Sequence, residues 1–578
     1  MTYIDRFNAW LNSDALSDAE KDELRAISGD QKEIESRFFS QLEFGTAGLR
    51  GIMGAGIFRM NIHVIRHATQ AFAELILAEP TLSNSAIEKC VAICYDSRIN
   101  SDKFAKEAAC VIAGNGIKVR IFDALRPTPC LSFAIREYNC IAGINITASH
   151  NPKEYNGYKV YWSDGAQLPP HHAKQVADKM NKLDLFTSIK KMDYDDALKQ
   201  GLITIMGEET DELFLKNVMG QATDLEAVKS VADAFKLVYT PYHGAGHKLV
   251  PEALRRLGLK HIICVPEQMI LDGNFPTVSS PNPEYPEGFH LAIDLAKANG
   301  ADLIIGTDPD CDRVGIMVRN DNGDFIPLTG NQTGVLLLDY LIGAKNKAGK
   351  MPDKPTILKT IVTTEMARSI AGQSKVDCYD TFTGFKFMAE KKNALEASGE
   401  GHVFFAYEES YGYMAGDFVR DKDAVTASML IAEMAAYYAS HNMTLFHALL
   451  KLYEKYGQYA EKTVELQMPG LDGIEKMRKL MINLRESPPV EITGARVVTR
   501  LDYDTGEKTD LTTGSVTPIE LSGSNVLRFE TEDGTVILVR PSGTEPKVKI
   551  YIMTSSETRA ECEAKISKYT NWAVALKS

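Results

Sequence analysis

The amino-acid sequence predicts an α/β protein: three similar mixed-sheet α/β units followed by a smaller α+β domain. Three observations predict it. Between residue 90 and about residue 440, short apolar strands alternate with helical patterns in three rounds, as in βαβ-type units with a parallel or mixed sheet. After about residue 450 the texture changes to alternating strands around a Glu-Asp-Gly turn, which reads as antiparallel pairing. The length of 578 residues, 44% hydrophobic and 24% charged, suits about three to five domains of ordinary globular composition.

The elements follow in order. The start, MTYIDRFNAWLNSDALSDAEKDELR, is acidic and helical, unlike a signal peptide. The first round is VAICYD, a helix near 102–115, VRIFD and AGINITA. The second is FKLVYTP, helix 247–258, HIICVP, helix 286–300 and ADLIIG. The third is TILKTIVT, helix 364–373, KVDCYD, helix 385–397 and HVFFAY. The last part holds VLRFETEDGTVILVRPSG, KVKIYIM and a closing helix at 556–575.

Composition excludes several function classes. A net charge of -13 argues against a general nucleic-acid binder, whose surface must attract phosphate. No apolar run reaches the roughly 18–20 residues of a membrane helix. Nine scattered cysteines read as reduced thiols of a cytoplasmic protein. The pairs Cys90/Cys94 and Cys130/Cys140 lack zinc spacing.

Four stretches carry chemistry. In TASHNPKEYNGYKVY, residues 147–161, Ser149 follows a strand and precedes Pro152, so it sits in a loop at a strand's carboxyl end, where α/β sheets place their sites. A Ser-His hydrolase needs a nucleophile–base contact that adjacent side chains rarely make, and no G-x-S-x-G elbow is present. Ser149 as a phosphoryl carrier, or a turn with hydrogen-bonding side chains, both stay open. In GTDPDCDRVG, residues 306–315, Asp308, Asp310 and Asp312 alternate and project to one side of an extended loop. Three such carboxylates repel unless a cation neutralises them. An EF-hand would need glycine and glutamate where Arg313 and Arg319 stand. Oxygen-only ligands suit Mg²⁺.

In RPSGTEPKVKIY, residues 540–551, Arg540 offers a bidentate fork to phosphate, Ser542 and Thr544 offer hydroxyls, and Gly543 admits backbone N–H groups to an anion. In FAYEESYGYMAGDFVRDKDA, residues 405–424, paired glutamates and a serine can accept from vicinal sugar hydroxyls, and Lys422 can reach a phosphate. Alone, this last stretch reads more readily as a charged loop.

Together the four resemble the α-D-phosphohexomutase family over nearly the whole chain beyond about residue 40. The family's loops are a phosphoserine loop (TASHNP), a metal loop (DPDxDR), a sugar loop and a phosphate loop (RPSGTEP), in this order. Length, FGTAGLRG and YEESYGY look most like the longer bacterial phosphoglucomutase type, akin also to the phosphopentomutase-like branch. The resemblance implies four domains around a central cleft: 1–205 with the phosphoserine loop and a helical extension, 206–325 with the metal loop, 326–445 with the sugar loop, and 446–578 with the phosphate loop. It also implies interconversion of glucose 1-phosphate and glucose 6-phosphate through a phosphoserine and a bisphosphate. Phosphopentomutase and phosphomannomutase activity are the alternatives within the family. A metal-dependent phosphatase and a sugar-phosphate sensor are the alternatives outside it.

The resemblance assigns roles residue by residue. Ser149 becomes the phosphoserine. Asp308, Asp310 and Asp312 hold Mg²⁺ together with a phosphoserine oxygen. Glu408 and Ser410 bind sugar hydroxyls, helped by Thr383 and Gly384. Arg540, Ser542, Gly543 and Thr544 hold the phosphate that is not transferred. Arg50 and Lys159 support proton transfer and charge at the reacting oxygen, Arg313 offsets phosphoserine charge, and His150 hydrogen-bonds the phosphate or shapes the loop. Glucose 1,6-bisphosphate is the implied activator and a phosphosugar the only implied partner, with neither nucleic acid nor membrane; the monomer-or-dimer state is left open. The sequence departs from the family pattern at Ala406, which stands before Tyr-Glu-Glu, and at Gly412, where some relatives have histidine.

Overall fold

The structure, a computed structural model, describes residues 2–45, 48–79, 90–468, 473–542 and 547–577. The chain divides into two compact units. One comprises residues 1–330, 344–350 and 404–444, and the other residues 331–343, 351–403 and 445–578.

In the first unit, the helices Tyr3–Leu11, Asp18–Ala26 and Gln31–Phe38 form the expected helical start. Thr2 with Asp5, and Ser17 with Glu20, make capping boxes, which satisfy otherwise orphaned N–H groups at both helix starts. Phe7, Trp10, Leu24, Ile34 and Phe38 bury the apolar faces of these helices in one cluster.

The first sheet runs in the order Leu49–Ile52, Tyr155–Trp162, Ala142–Ile146, Cys90–Tyr95, Lys118–Phe122, Ile203–Met206. The last four strands are parallel, and Tyr155–Trp162 is antiparallel to both neighbours. Ala142–Ile146 is buried along its whole length, as expected of a parallel strand covered on both faces. The helix Ile62–Ala78, capped by the Asn61 side chain, packs Val64, Ile65, Ala68 and Phe72 into the core of this sheet.

The second sheet runs Phe325–Leu328, Val314–Arg319, Leu303–Thr307, Lys236–Thr240, His261–Cys264. Its last three strands are parallel and Val314–Arg319 is antiparallel to both neighbours. The strand His402–Glu408 likewise turns back on Gly412–Ala415. The loops at 147–154, 308–313 and 409–411 therefore hold one topological place: each joins an inner strand to an antiparallel return strand. This is the structural content of the three similar sequence rounds.

In the second unit, Pro355–Thr360 pairs in parallel with Asp377–Thr381. The C-terminal sheet runs Gln458–Gln467, Lys547–Ser556, Val536–Pro541, Leu527–Thr531, Ala495–Asp502, Glu507–Asp510, Val516–Pro518. The Glu-Asp-Gly turn joins an antiparallel hairpin, as read from the sequence. The closing helix spans Arg559–Ala575 rather than 556–575. Lys547–Ser556 continues as strand to its last residue, and the Thr558 capping box with Glu561 sets the helix start. Ile361, Val362 and Phe382 pack against Tyr503, Val526 and Leu538 of the C-terminal sheet. The buried Lys359 lies 3.0 Å from Asp380 and 3.3 Å from Glu365, which also pairs with Arg528 at 3.3 Å.

The helix expected at 286–300 begins as a 3₁₀ turn, Pro286–Phe289, before His290–Asn299, and ends where Gly300 turns left-handed at φ 63°. Among the described residues no helix is long and apolar enough to cross a membrane.

Candidate active site

Ser149 lies just past the end of Ala142–Ile146, as its flanking residues predict. Its N–H donates to Thr147 Oγ1 at 2.8 Å. Its backbone is left-handed, with φ 53°. Its hydroxyl donates to Asp308 Oδ2 at 2.9 Å, and His150 Nδ1 stands 3.1 Å from the same oxygen. The sequence argument against an adjacent Ser-His contact fails here, because the left-handed residue swings the two side chains together. The contact still does not make a base. When the hydroxyl proton is donated to Asp308, Oγ is left to accept from the imidazole through Nδ1–H. Burial, reinforced by Arg313 and Arg50, pushes the His150 pKa well below its ordinary value, so the imidazole stays neutral.

The Asp308 loop meets that hydroxyl. Cys311 adopts φ 52° in the turn. Asp308 Oδ1 accepts from the N–H groups of Asp312 at 3.1 Å and Arg313 at 3.0 Å. Asp310 Oδ2 accepts from Lys159 Nζ at 2.9 Å and Thr128 Oγ1 at 3.1 Å. Each of Asp308, Asp310 and Asp312 offers an oxygen within 4.8 Å of the others. All three are buried, at 0%, 1% and 1% exposure. Burial and mutual repulsion push Asp308 and Asp312 upward. Asp310 is held low: burial opposes its charge, but Lys159 outweighs it. Asp310 Oδ1 and Asp312 Oδ1 are buried without a hydrogen-bond partner, which is costly unless another ligand takes them. An all-oxygen set with two unused oxygens fits a divalent cation of the Mg²⁺ type.

Two buried lysines bracket the cluster. Lys159, on Tyr155–Trp162, also lies 3.7 Å from Asp312. Lys422 sits between Asp312 at 3.1 Å and Asp421 at 3.3 Å. The sequence reading has Lys422 able to reach a phosphate; here its ammonium lies against these two carboxylates. Asp421 is itself held by Tyr161 Oη at 2.8 Å and Gln167 Nε2 at 3.1 Å. Gly412 makes room for Lys422, since a Cβ there would lie 2.2 Å from its Cδ.

Arg313 reaches Glu284 at 3.5 Å and Asp312 at 3.9 Å. Burial works against its charge, but Asp312, Glu408 and Glu284 outweigh it and hold its pKa above the ordinary range. Arg50 is exposed and donates to Asn151 Oδ1 at 3.0 Å. Glu408 is buried opposite Gly412, and Ser410 is half-buried in the turn that follows. The N–H of Val314 donates to the Tyr411 carbonyl at 3.1 Å, so the Asp308 and Glu408 loops lie side by side.

The first unit thus gathers Ser149, His150, Lys159, Asp308, Asp310, Asp312, Arg313 and Lys422, with Arg50 and Glu408 at their edge. Thr383, Gly384, Arg540 and Ser542 belong to the second unit. Gly384, at φ 111°, starts the helix Phe385–Ser398. Arg540 pairs with Lys549 across the hairpin, and the Ser542 N–H donates to the Lys547 carbonyl at 2.8 Å. Gly543 and Thr544 lie outside the described residues. Sequence reasoning missed Thr128, Tyr161, Gln167, Glu284 and Asp421. Only Asp421 had a local signal, as a carboxylate beside Lys422.

Known proteins resemble this chain along nearly its whole length. Residues 41–186, 213–323 and 329–456 match the alpha/beta/alpha domains I, II and III of the phosphoglucomutase/phosphomannomutase family, and residues 482–567 match its C-terminal domain. The chain is 36% identical over 535 residues to a phosphoglucomutase of Staphylococcus haemolyticus, covering 93% of this chain and 94% of that one. A Staphylococcus aureus phosphoglucomutase is 36% identical over 533 residues, covering 90% and 91%. The fold matches the open form of parafusin, a phosphoglucomutase from Paramecium, with a TM-score of 0.68 at 18% identity, covering 93% and 96%. A family protein from Burkholderia thailandensis superposes with a TM-score of 0.66 at 18% identity, covering 93% and 98%. By four successive domain matches and by identity to curated relatives along nearly its whole length, the chain belongs to the phosphoglucomutase/phosphomannomutase family.

Proposed function

We propose that this chain is a phosphoglucomutase, interconverting glucose 1-phosphate and glucose 6-phosphate with Ser149 as the phosphoryl carrier and glucose 1,6-bisphosphate as intermediate and activator. The observation that carries the reading is the Ser149 hydroxyl, 2.9 Å from Asp308 inside a buried three-carboxylate cluster. The curated relatives named phosphoglucomutase support it at 36% identity. With no membrane-spanning helix among the described residues and a sugar phosphate as its partner, we place the enzyme in the cytoplasm.

Asp308, Asp310 and Asp312 would hold Mg²⁺, which when bound supplies electrostatic stabilisation of phosphoryl charge. This chain's residues do the rest. Phosphoserine carries roughly -1.5 to -2 charge, which Lys159, Lys422 and Arg313 offset. With glucose 1-phosphate bound, O6 attacks the phosphorus of phosphoserine, the P–Oγ bond breaks, and the O6 proton ends on the released Ser149 Oγ. The resulting bisphosphate turns over. Ser149 Oγ then attacks the phosphorus at C1, and the C1 oxygen leaves with a proton as glucose 6-phosphate departs. Neutral His150, donating through Nδ1–H, steadies Oγ. Glu408 and Ser410, helped by Thr383 and Gly384, bind sugar hydroxyls. Arg540 and Ser542, with Gly543 and Thr544, anchor the phosphate that is not reacting. That anchor must accept either phosphate, because the sugar binds in two orientations.

The hexoses differ only at C2, and misplacing a hydroxyl is rejected less strongly than removing one the site is built to bind. A preference in kcat/KM for glucose over mannose and ribose 1-phosphates is therefore expected, without absolute exclusion. The test assays all three with a trace of glucose 1,6-bisphosphate, alongside peptide mass analysis of the wild type and Ser149→Ala. Phosphate should sit on Ser149, and the alanine variant should fold but lose nearly all turnover. A clear win for mannose or ribose overturns the sugar assignment. Free phosphate as the main product, or phosphate found only on another residue, overturns the carrier mechanism.

A further inference from the structure

We infer that Arg98 is the positioning residue that holds Ser149 in the conformation needed for phosphoryl transfer. The inference rests on the mutase reading above and adds a device to it. Ser149 is a non-glycine residue at φ 53°. Side-chain-bearing residues avoid this region, and they remain in it only where the surroundings over-determine them. Arg98 is that surrounding. It is 3% exposed and follows the strand Cys90–Tyr95 within Asp96-Ser97-Arg98.

Its guanidinium donates to three carbonyls of the Ser149 loop and to the carbonyl of Tyr155, the first residue of the strand that follows. Nη2 reaches the carbonyls of Ser149, at 2.7 Å, and Asn151. Nη1 reaches those of Pro152 at 2.9 Å and Tyr155 at 3.0 Å. A planar fork can bind four acceptors at once; a lysine ammonium, a compact point charge, cannot span them. The clamp is fixed from two sides. Asp96 Oδ1 accepts from the Arg98 N–H at 2.9 Å and from Ser101 Oγ at 2.8 Å, and Oδ2 lies 3.4 Å from Nε. The Phe275 ring centroid lies 5.1 Å from Cζ. Beside it Gly273 packs so closely that a Cβ would lie 2.5 Å from the Ile99 nitrogen. Arg98 therefore acts on the Ser149 backbone, which fixes where Oγ stands relative to Asp308 and His150.

The test compares wild type with Arg98→Lys, Arg98→Ala and Phe275→Leu by thermal unfolding, kcat, KM and phosphorylation of Ser149 by glucose 1,6-bisphosphate. Misplacing a reacting group by about 1 Å costs about 10²-fold in rate, so Arg98→Lys should lose about that in kcat with KM unchanged. Phosphorylation of Ser149 should slow in step. Guanidinium chloride, kept below denaturing concentration, should restore turnover to Arg98→Ala where sodium chloride of equal ionic strength does not. A purely structural arginine would lower thermal stability and leave kcat per folded molecule intact. Near-wild-type kcat in folded Arg98→Lys, a rise in KM that accounts for the loss, or no guanidinium rescue overturns the inference. If neither arginine variant folds, Phe275→Leu decides: a lower kcat at constant KM supports the clamp, and wild-type kinetics overturn it. A wild type inactive on every sugar 1-phosphate would defeat the function instead, and Ser149 phosphorylation would still report on the clamp.

Discussion

Gly412→Ala adds one methyl group next to the candidate site, and its effect can be worked out from two opposing terms. Gly412 is not left-handed, so alanine fits the backbone. Relief of unfolded-chain entropy alone would stabilise by about 0.4–1 kcal/mol. The added Cβ, however, would lie 2.2 Å from Lys422 Cδ, 2.8 Å from its Cγ and 3.1 Å from Glu408 Oε1. Overpacking of this kind costs about 1–3 kcal/mol. If Lys422 is pushed off Asp312 and Asp421, both fully or almost fully buried, a broken buried pair costs about 3–5 kcal/mol. Once Lys422 is pushed off, sterics win with a net loss of roughly 2–5 kcal/mol. At about 2–4 °C per kcal/mol, calorimetry should show the affected transition lowered by roughly 4–20 °C. The kcat should fall as Asp312 loses its partner. Because the methyl acts through Lys422, combining it with Lys422→Met should give a coupling of about 0.5–3 kcal/mol in a double-mutant cycle. A raised Tm would mean that the entropy term dominates, and strictly additive effects would mean that the methyl acts elsewhere. Either result refutes the reasoning.

Asp310→Asn sets an amide donor either against the Lys159 ammonium or on the oxygen that has no partner. Mg²⁺ affinity measured by titration calorimetry should fall about ten- to hundredfold, the worth of one charge-assisted contact, and unchanged affinity would remove Asp310 from the cation site. EDTA should inactivate the wild type, and full activity in EDTA would count against any metal role. If Arg540 is the proposed phosphate anchor, Arg540→Ala removes its bidentate contact and KM for glucose 1-phosphate should rise about tenfold or more. An unchanged KM for every sugar phosphate would place the anchor elsewhere.

The fold was legible where its causes are local. Alternation of apolar strands with helical patterns marked three α/β rounds, and the Glu-Asp-Gly turn marked the C-terminal hairpin, because periodicity and turn chemistry are written within a few residues. Element ends were less so: the closing helix begins at Arg559 because a capping box competes there with a strand that runs on to Ser556. The D-x-D-x-D spacing put three carboxylates on one loop, and Asn-Pro put Ser149 just beyond a strand, both through near-neighbour geometry alone.

What the sequence alone determined, then, is the inventory of chemistry: a serine in a strand-end loop, an oxygen-only acidic triad, a basic hairpin near the C-terminus, and a mutase-type order of loops. Only the tertiary structure decided how the serine and the triad meet. It turned Ser149 left-handed so that His150 touches its hydroxyl, and it brought Asp308 to that hydroxyl across 159 positions of sequence. It drew Lys422 onto Asp312 and Asp421, pinned Asp421 with Tyr161 and Gln167, and closed Arg98 over four carbonyls. Local pattern cannot encode these contacts. They exist only once separate sheets pack together, and burial then removes the water that would otherwise satisfy each charge, leaving a partner from a distant strand as the lowest-energy alternative.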